Sequence, residues 1–368
     1  MDTVKVVHPT SLHPRNDTRV FAKECTSLAK AGYEVFLVVS DGLGDERKNG
    51  VHIVDVGKPS GGRLKRMVAT ARAVYKKALQ LDGDIYHFHD PEMLPYAKKL
   101  KAKGKKVIFD AHEDLPMQIL DKPYIWKPLR SLISKLADIY EHVVIPKFDY
   151  VVTATPFIKD KFESFHPRVT DVNNFPILGE FEPETDWSIK KNAVAYVGAI
   201  SSIRGIQALV EAMGHTNDTT LFLGGGIKGE ELRRSLESKA GWSNVNDLGF
   251  IDRQRFFEVL SQSKAGMLTF HRAKNHVNAL PNKMFEYMSA GVPVIASDFN
   301  YWKDIIEKHK CGICVDPTNP VQIADAIKFV TENDEAASEM GSNATKAIKE
   351  KFNWDTQVEK LLGVYQNI

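Results

Sequence analysis

A chain of 368 residues exceeds what one compact core usually holds, so two domains are expected. Apolar residues make up 43% and charged residues 26%, which excludes a disordered chain, and a net charge of +2 with a pI of about 8.2 gives no reason to expect a nucleic-acid partner. Three cysteines, Cys25, Cys311 and Cys314, are too few and too odd for a disulfide framework and fit a reducing compartment. The N-terminal run MDTVKVVHPTSLHPR lacks the apolar stretch of a signal peptide, and nowhere do about 18 consecutive apolar residues occur. The expectation is a soluble, cytoplasmic protein.

In chain order, short β-branched runs alternate with helical patterns. Predicted strands are Val4–His8, Val35–Ser40, His52–Val56, Asp84–His89, Lys106–Ala111, Tyr150–Ala154 and Thr170–Asn173. Between the first two, Arg19–Ala31 places Val20, Phe21, Cys25, Leu28 and Ala29 on one helical face. The pattern pauses at Ile177–Asn192, a polar stretch with Pro183 that reads as a linker. It resumes with strands Ala193–Val197, Thr219–Leu223, Ala265–Thr269, Pro293–Ala296 and Gly312–Val315. Such alternation predicts two Rossmann-like halves of parallel strands and crossover helices facing a cleft, with ligands beyond the carboxyl ends of the strands.

The segment Asn278–Ser297, NALPNKMFEYMSAGVPVIAS, carries the sharpest local signal. Pro281 suits the first turn of a helix, Gly291 its end, and Pro293 prevents continuation, so a helix over about Pro281–Ala290 precedes a buried strand. The helix N-terminus offers unpaired N–H groups to an anion, for which a diphosphate is a natural occupant. Glu286 sits among Met284, Phe285, Tyr287 and Met288, where a carboxylate needs partners; two ribose hydroxyls would serve. Lys283 is placed to meet phosphate, or to pair with Glu286 in an ordinary amphipathic helix.

This segment resembles the C-terminal signature of the GT-B glycosyltransferases of family 4, in which two glutamates with seven residues between them precede a small-Gly-x-Pro-Val-Ile-Ala-Ser strand. Glu286 falls on the second glutamate, which in the family holds the nucleotide ribose, and Asn278 falls on the first, which meets the donor sugar. The variant Leu-Pro-Asn-Lys-x-Phe-Glu-Tyr-Met is similar to the branch associated with bacterial surface polysaccharides. Val194–Gly205, VAYVGAISSIRG, resembles the family's strand, glycine and two basic residues that neutralise the donor diphosphate. Gly198 and Arg204 match that pattern, while Ala199 stands at the first basic position. Leu221–Gly226, LFLGGG, resembles the Gly-rich turn facing the donor and contains Gly225. In the first half, KVIFDAHED places His112 where the family carries a histidine near the reacting sugar, and DIYHFHDP resembles its His-x-His-Asp strand end. Phe352–Tyr365 resembles the terminal helix that crosses back to the N-terminal domain.

The resemblance implies a GT-B fold: an acceptor domain over residues 1–178, a nucleotide-sugar domain over 190–352, and a C-terminal helix, 353–368, packing back on the first. It implies retaining, metal-independent transfer from a nucleotide sugar, most often UDP-linked, to a glycan or lipid-linked acceptor, with no further cofactor. Arg204, Lys283 and the Pro281 helix end are assigned to the diphosphate, Gly198 and Gly225 to the donor-binding turns, Glu286 to ribose, Asn278 to the sugar and His112 to the reacting centre.

Other readings compete at particular residues. Gly224-x-Gly226-x-x-Gly229, with Asp247 downstream, spells a nominal dinucleotide fingerprint and makes an NAD-dependent oxidoreductase or epimerase the rival. Asn278 and Ala199 in place of charged residues suit a non-catalytic GT-B partner subunit. His87 and His89 share a strand face, but no third ligand stands at metal spacing, so no metal is expected. Asp82-Gly83-Asp84 opens a strand rather than closing one, and Cys311 and Cys314 read as buried small residues. Asn16 and Asp17 read as the cap of the first helix, with Arg19 able to reach an anion. Two basic helical stretches, with Arg63, Lys65, Arg66, Arg72, Lys76 and Lys77 in one and Tyr124, Trp126, Lys127, Arg130 and Lys135 in the other, suit peripheral contact with an anionic membrane or an ordinary surface.

Overall fold

The protein is described by a computed structural model covering residues 3–58, 63–120, 122, 125–180, 182–184, 186–216 and 218–368, without the side chains of 63–66 and 275. The side chains of Arg63, Lys65 and Arg66 in the first basic helix, and Tyr124 before the second, therefore lie outside the described residues. The chain divides into two compact units, Met1–Asn174 with Trp354–Ile368, and Phe175–Asn353.

The first unit contains strands β1 (Lys5–Pro9), β2 (Glu34–Val39), β3 (Glu46–Lys48), β4 (Val51–Asp55), β5 (Ile85–Phe88), β6 (Lys106–Ala111), β7 (Tyr150–Thr153) and β8 (Val169–Asp171). They form one sheet in the order β3-β4-β2-β1-β5-β6-β7-β8, parallel throughout except for β3 against β4. The central strands are buried on both faces and read as continuous apolar runs, the signature of a parallel sheet covered by helices. β3 escapes such a reading because it is three exposed, charged residues at the sheet edge.

The predicted helix Arg19–Ala31 is two pieces. Thr18–Cys25 is a π-helix, capped by Asp17 Oδ1, which accepts from the backbone N–H of Arg19 and Val20, and Thr26–Lys30 continues as an α-helix. The wider π turn carries both Arg19 and Glu24 into the interior. The C-terminal helix Trp354–Gln366 belongs to the same unit: Trp354 Nε1 donates to Ser27 Oγ at 2.9 Å, and Gln357 Oε1 accepts from the Asn173 N–H at 2.9 Å.

The second unit contains β9 (Ala193–Val197), β10 (Thr220–Gly224), β11 (Val245–Gly249), β12 (Ala265–Leu268), β13 (Val294–Ser297) and β14 (Gly312–Val315), all parallel, in the order β11-β10-β9-β12-β13-β14. β11, VNDLG, is a half-exposed edge strand whose polar content hid it from a hydrophobic-run reading. The segment read as a linker packs onto this unit. Arg253 bonds Glu180 at 3.0 Å, and Pro183 covers Gly291 closely enough that a Cβ there would lie 3.0 Å from its Cβ.

In each sheet the strand order reverses at one place, between β1 and β5 in the first and between β9 and β12 in the second. Crossover helices diverge to opposite faces there, leaving a crevice at the carboxyl ends of the two strands. The residues following β1, β5 and β6, and those following β9 and β12, are therefore where each unit can hold a ligand.

Candidate functional site

In the second unit, Gly198 follows β9 with φ 149° and Gly225 follows β10 with φ 141°. A Cβ on Gly225 would lie 2.0 Å from the Gly198 oxygen, so only glycine lets these two loops touch. A Cβ on Gly198 would lie 2.2 Å from Lys283 Cε, which places the lysine stem directly over bare backbone. Among the described residues the Lys283 ammonium makes no hydrogen bond or ion pair; its nearest aromatic contact is Phe256, 5.8 Å away. Burial, with Arg204 and Arg253 nearby, lowers its pKa despite the opposing field of Glu286.

Arg204 ends a short 3-10 turn, Ser202–Arg204, and stacks on the Phe270 ring at 4.2 Å. It too has no carboxylate partner among the described residues. A Cβ on the next residue, Gly205, would lie 1.7 Å from the Thr269 oxygen, and this close approach fixes the turn against the end of β12. The helix Asn282–Ser289 begins one residue later than predicted, with Pro281 in the N-cap position and no side-chain cap. Two cations that make no ion pair among the described residues thus share a field with a helix N-terminus lacking a side-chain cap, a combination suited to an anion carrying more than one charge.

Glu286 lies on that helix, half-buried. Its partner is Arg253, not Lys283: the guanidinium reaches Glu286 Oε1 and Glu180 Oε1 together. No sequence pattern pairs residues so far apart, and Arg253 reads locally only as the start of the helix Arg253–Ser261. Asn278 follows the short helix Lys274–Val277, and its side chain has no hydrogen-bond partner among the described residues. Trp302 Nε1 donates to the Ala279 oxygen at 2.8 Å and pins this loop. A polar pocket of about 460 Å³, unforeseen in the sequence, opens past β12, β13 and β14 among His271, Arg272, Asp298, Asp316, Pro317 and Thr318. His271 Nε2 is buried there without a partner among the described residues.

In the first unit, His112 follows β6 and donates from Nε2 to Asp110 Oδ2 at 2.8 Å. Asp110 also receives Arg19 through Nε and Nη2 at 3.1 and 2.8 Å. Burial pushes the Asp110 carboxyl up, but Arg19, His112 and His89 outweigh it and hold it well below the usual carboxylate range. Arg19 is wholly committed inside, since its remaining nitrogen donates to the Val172 oxygen at 2.6 Å. The sequence reading that let it reach an anion fails because the π-helix turns it inward.

His13, which sequence reasoning passed over, closes against His112 with ring centroids 4.8 Å apart and bonds Asp17 at 3.2 Å. Burial lowers the His13 pKa, yet Asp17 and Asp90 outweigh it and the net shift is upward.

Behind these lies a fully buried network. His8 Nδ1 and His89 Nε2 share a hydrogen bond at 2.9 Å, His87 Nδ1 meets Tyr365 Oη at 2.8 Å, and Glu24 pairs with Arg19 at 3.1 Å. Ligand atoms of His8, Glu24, His87 and His89 come within 4.8 Å of one another, a set able to hold a metal that chain spacing did not reveal. The direct His8–His89 bond turns two of those nitrogens toward each other, so a metal would have to break it.

Two family models match the chain: "Glycosyltransferase Family 4" over residues 18–174 and "Glycosyl transferases group 1" over 180–347. Among solved structures, sucrose-phosphate synthase from Thermosynechococcus elongatus superposes with a TM-score of 0.77 at 16% identity, covering 99% of this chain and 98% of that one. HepE of Anabaena, solved with UDP and glucose, gives 0.74 at 12% identity, covering 99% and 100%. The chain belongs to the GT-B glycosyltransferases of family 4 type.

Its curated relatives are distant. An uncharacterised glycosyltransferase of Methanocaldococcus jannaschii is 24% identical over 280 residues, 73% of this chain and 70% of that one. A D-rhamnosyltransferase of Pseudomonas aeruginosa is 22% identical over 296 residues, 76% and 73% respectively. The glycosyltransferase acts on a nucleotide sugar.

Membership also accounts for the rival signals. Asp247, the acid of the nominal dinucleotide fingerprint, is held by Arg233 at 3.3 Å, and Gly229 caps the helix Glu230–Glu237. Asp82 pairs with Lys105 and Asp84 accepts from the Lys5 N–H, both at the amino end of β5 and away from the site. Cys311 and Cys314 are free thiols, each pushed up to about 12 by burial.

Proposed function

We propose that this glycosyltransferase moves a sugar from a UDP-linked donor to a glycan or lipid-linked acceptor in polysaccharide biosynthesis, with retention at the anomeric carbon and without a metal or other cofactor. The observation that carries the reading is the pair Arg204 and Lys283, two cations in no ion pair among the described residues, beside the uncapped start of Asn282–Ser289. They suit a diphosphate lying over the bare backbone of Gly198 and Gly225, with Pro281 opening the helix end. Glu286 is assigned to the ribose hydroxyls, Asn278 to the donor sugar and His112 to the reacting centre. UDP is favoured because the HepE structures contain it, and an Escherichia coli structural neighbour was solved with UDP-2-fluoro glucose.

In the proposed step the bond from the anomeric carbon to the diphosphate oxygen breaks with its electron pair on the leaving group. The acceptor oxygen bonds to the same face, and its proton passes to the departing diphosphate. Arg204 and Lys283 stabilise the charge that develops, so positioning and electrostatics carry the rate without a covalent intermediate. A lipid-linked acceptor would bring the protein to the inner face of a membrane.

Calorimetric titration with UDP tests the reading. Arg204→Ala and Lys283→Ala should each weaken binding by about tenfold or more, the worth of a charge-assisted hydrogen bond. Affinity unchanged in both variants overturns it.

A further inference from the structure

The helix Lys127–Val144 keeps only a narrow strip against the protein, through Ser134, Glu141 and Val144. The opposite side carries large apolar residues at Trp126, Leu129, Leu132, Leu136, Ile139 and Val143, a repeat of three and four that aligns them in one stripe. These are open to solvent: Trp126 is 71% exposed, Leu132 55%, Leu136 56% and Val143 53%. The stripe runs about 26 Å along the helix at 1.5 Å per residue. A water-facing stripe of that length calls for a covering surface.

The charges beside the stripe indicate which. Lys127, Arg130 and Lys135 flank it, and Lys147 follows in the next turn. Of the helix's two carboxylates, Glu141 is buried against Lys161 at 2.7 Å, and Asp138 lies 3.7 Å from His142. A second copy packed helix on helix would bring Lys127, Arg130 and Lys135 of each together with Asp138 as the helix's one exposed carboxylate to answer them, whereas paired helices normally supply matched opposite charges at their flanks. An anionic lipid surface answers both features, taking the apolar stripe among its acyl chains and the lysines among its headgroups. Trp126 at the start of the helix and Tyr140 within it are the aromatic types that settle at such an interface.

We propose that the helix Lys127–Val144 is an interfacial helix that docks the first unit on an anionic lipid surface. The inference rests on the proposed function only for why the acceptor is found there; the surface chemistry stands apart from it.

Co-sedimentation of the full chain with vesicles tests the proposal, using phosphatidylcholine alone and phosphatidylcholine mixed with phosphatidylglycerol, with UDP affinity measured in parallel. Wild-type protein should pellet with the anionic vesicles, less so as salt is raised. Leu132→Ser with Leu136→Ser should cut binding by about tenfold per leucine. Lys127→Glu with Lys135→Glu should weaken binding and flatten its salt dependence. Each of these side chains is exposed, so thermal stability and UDP affinity should stay at wild-type values. Absence of vesicle binding, or binding indifferent to the leucine changes, overturns the proposal. So does a self-association seen by analytical ultracentrifugation that the leucine changes abolish without vesicle binding, which would assign the stripe to a second copy. Vesicle binding without UDP binding would count against the proposed donor and leave the docking helix standing.

Discussion

Arg253 clamps Glu286: one guanidinium reaches both Glu286 and Glu180, so the carboxylate assigned to ribose is held in place. A carboxylate fixed this way presents its remaining lone pairs in a set direction. Glu286→Ala should weaken UDP binding by about ten- to a hundredfold, the range for hydrogen bonds to a charged group. Arg253→Ala should weaken it by a smaller factor, and the double variant should lose less than the sum of the two. Because Arg253 is largely exposed, its removal should cost at most about 1 kcal/mol of stability. Titration calorimetry on the four proteins decides it; an Arg253→Ala affinity equal to wild type would make the clamp an incidental surface pair.

Much of this was legible in the sequence, for a physical reason. Strands buried in a parallel sheet are short β-branched runs, so β6, β9 and β14 were read with the boundaries they have. β3 and β11 were missed because edge strands are polar, and the π-helix because its face pattern mimics an α-helix over one turn. His112, Arg204, Lys283 and Glu286 were reached through local motifs. Two of their neighbours were not: in one unit Arg253 reaches Glu286, and in the other His13 reaches His112, only through packing between segments distant in sequence, which periodicity does not encode.

His112 and Asp110 should separate on substitution. His112→Ala removes a partly buried ring and should lower kcat by about a hundredfold, the low end for losing one preorganised hydrogen-bond donor at a reacting centre, with little change in stability. Asp110→Asn leaves Arg19 facing a neutral amide in the interior and should cost about 3 kcal/mol of stability as well as activity. Steady-state kinetics alongside thermal melts read the two effects apart. A His112→Ala enzyme with unchanged kcat would remove this histidine from the reacting centre.

Chelation tests the metal-independent reading directly. Transfer activity should be unaffected by EDTA, since the proposed charge stabilisation comes from Arg204 and Lys283. Activity lost in EDTA and restored by a divalent ion would refute that reading. It would also turn attention to His8, Glu24, His87 and His89, whose donor atoms already lie within 4.8 Å of one another.

The buried histidines should make the first unit acid-sensitive. Burial first, and charged neighbours second, hold His8 and His87 well below their ordinary value, and burial brings His89 down to about 4 despite Asp110. A base whose folded pKa is depressed stays neutral in the native state while the unfolded chain takes up a proton below about pH 6.5. Stability therefore falls as pH drops from about 6.5 toward the folded values, by about 1.4 kcal/mol per pH unit for each histidine. Glu24 works the other way: burial and Asp110 raise its carboxyl against the pull of Arg19, so its contribution is lost as pH rises. The raised His13 likewise contributes fully below about pH 6.5 and loses its contribution as pH climbs through its folded value. Below about pH 6.5 His13 carries its proton in both states, so within this network the three histidines oppose Glu24 alone and the net slope favours unfolding on acidification. Urea unfolding at a series of pH values should show this loss, and His87→Gln, whose amide can still meet Tyr365, should shallow the slope by about one histidine's worth. A stability that stays flat between about pH 6.5 and 4 would mean that the network takes up protons as readily folded as unfolded.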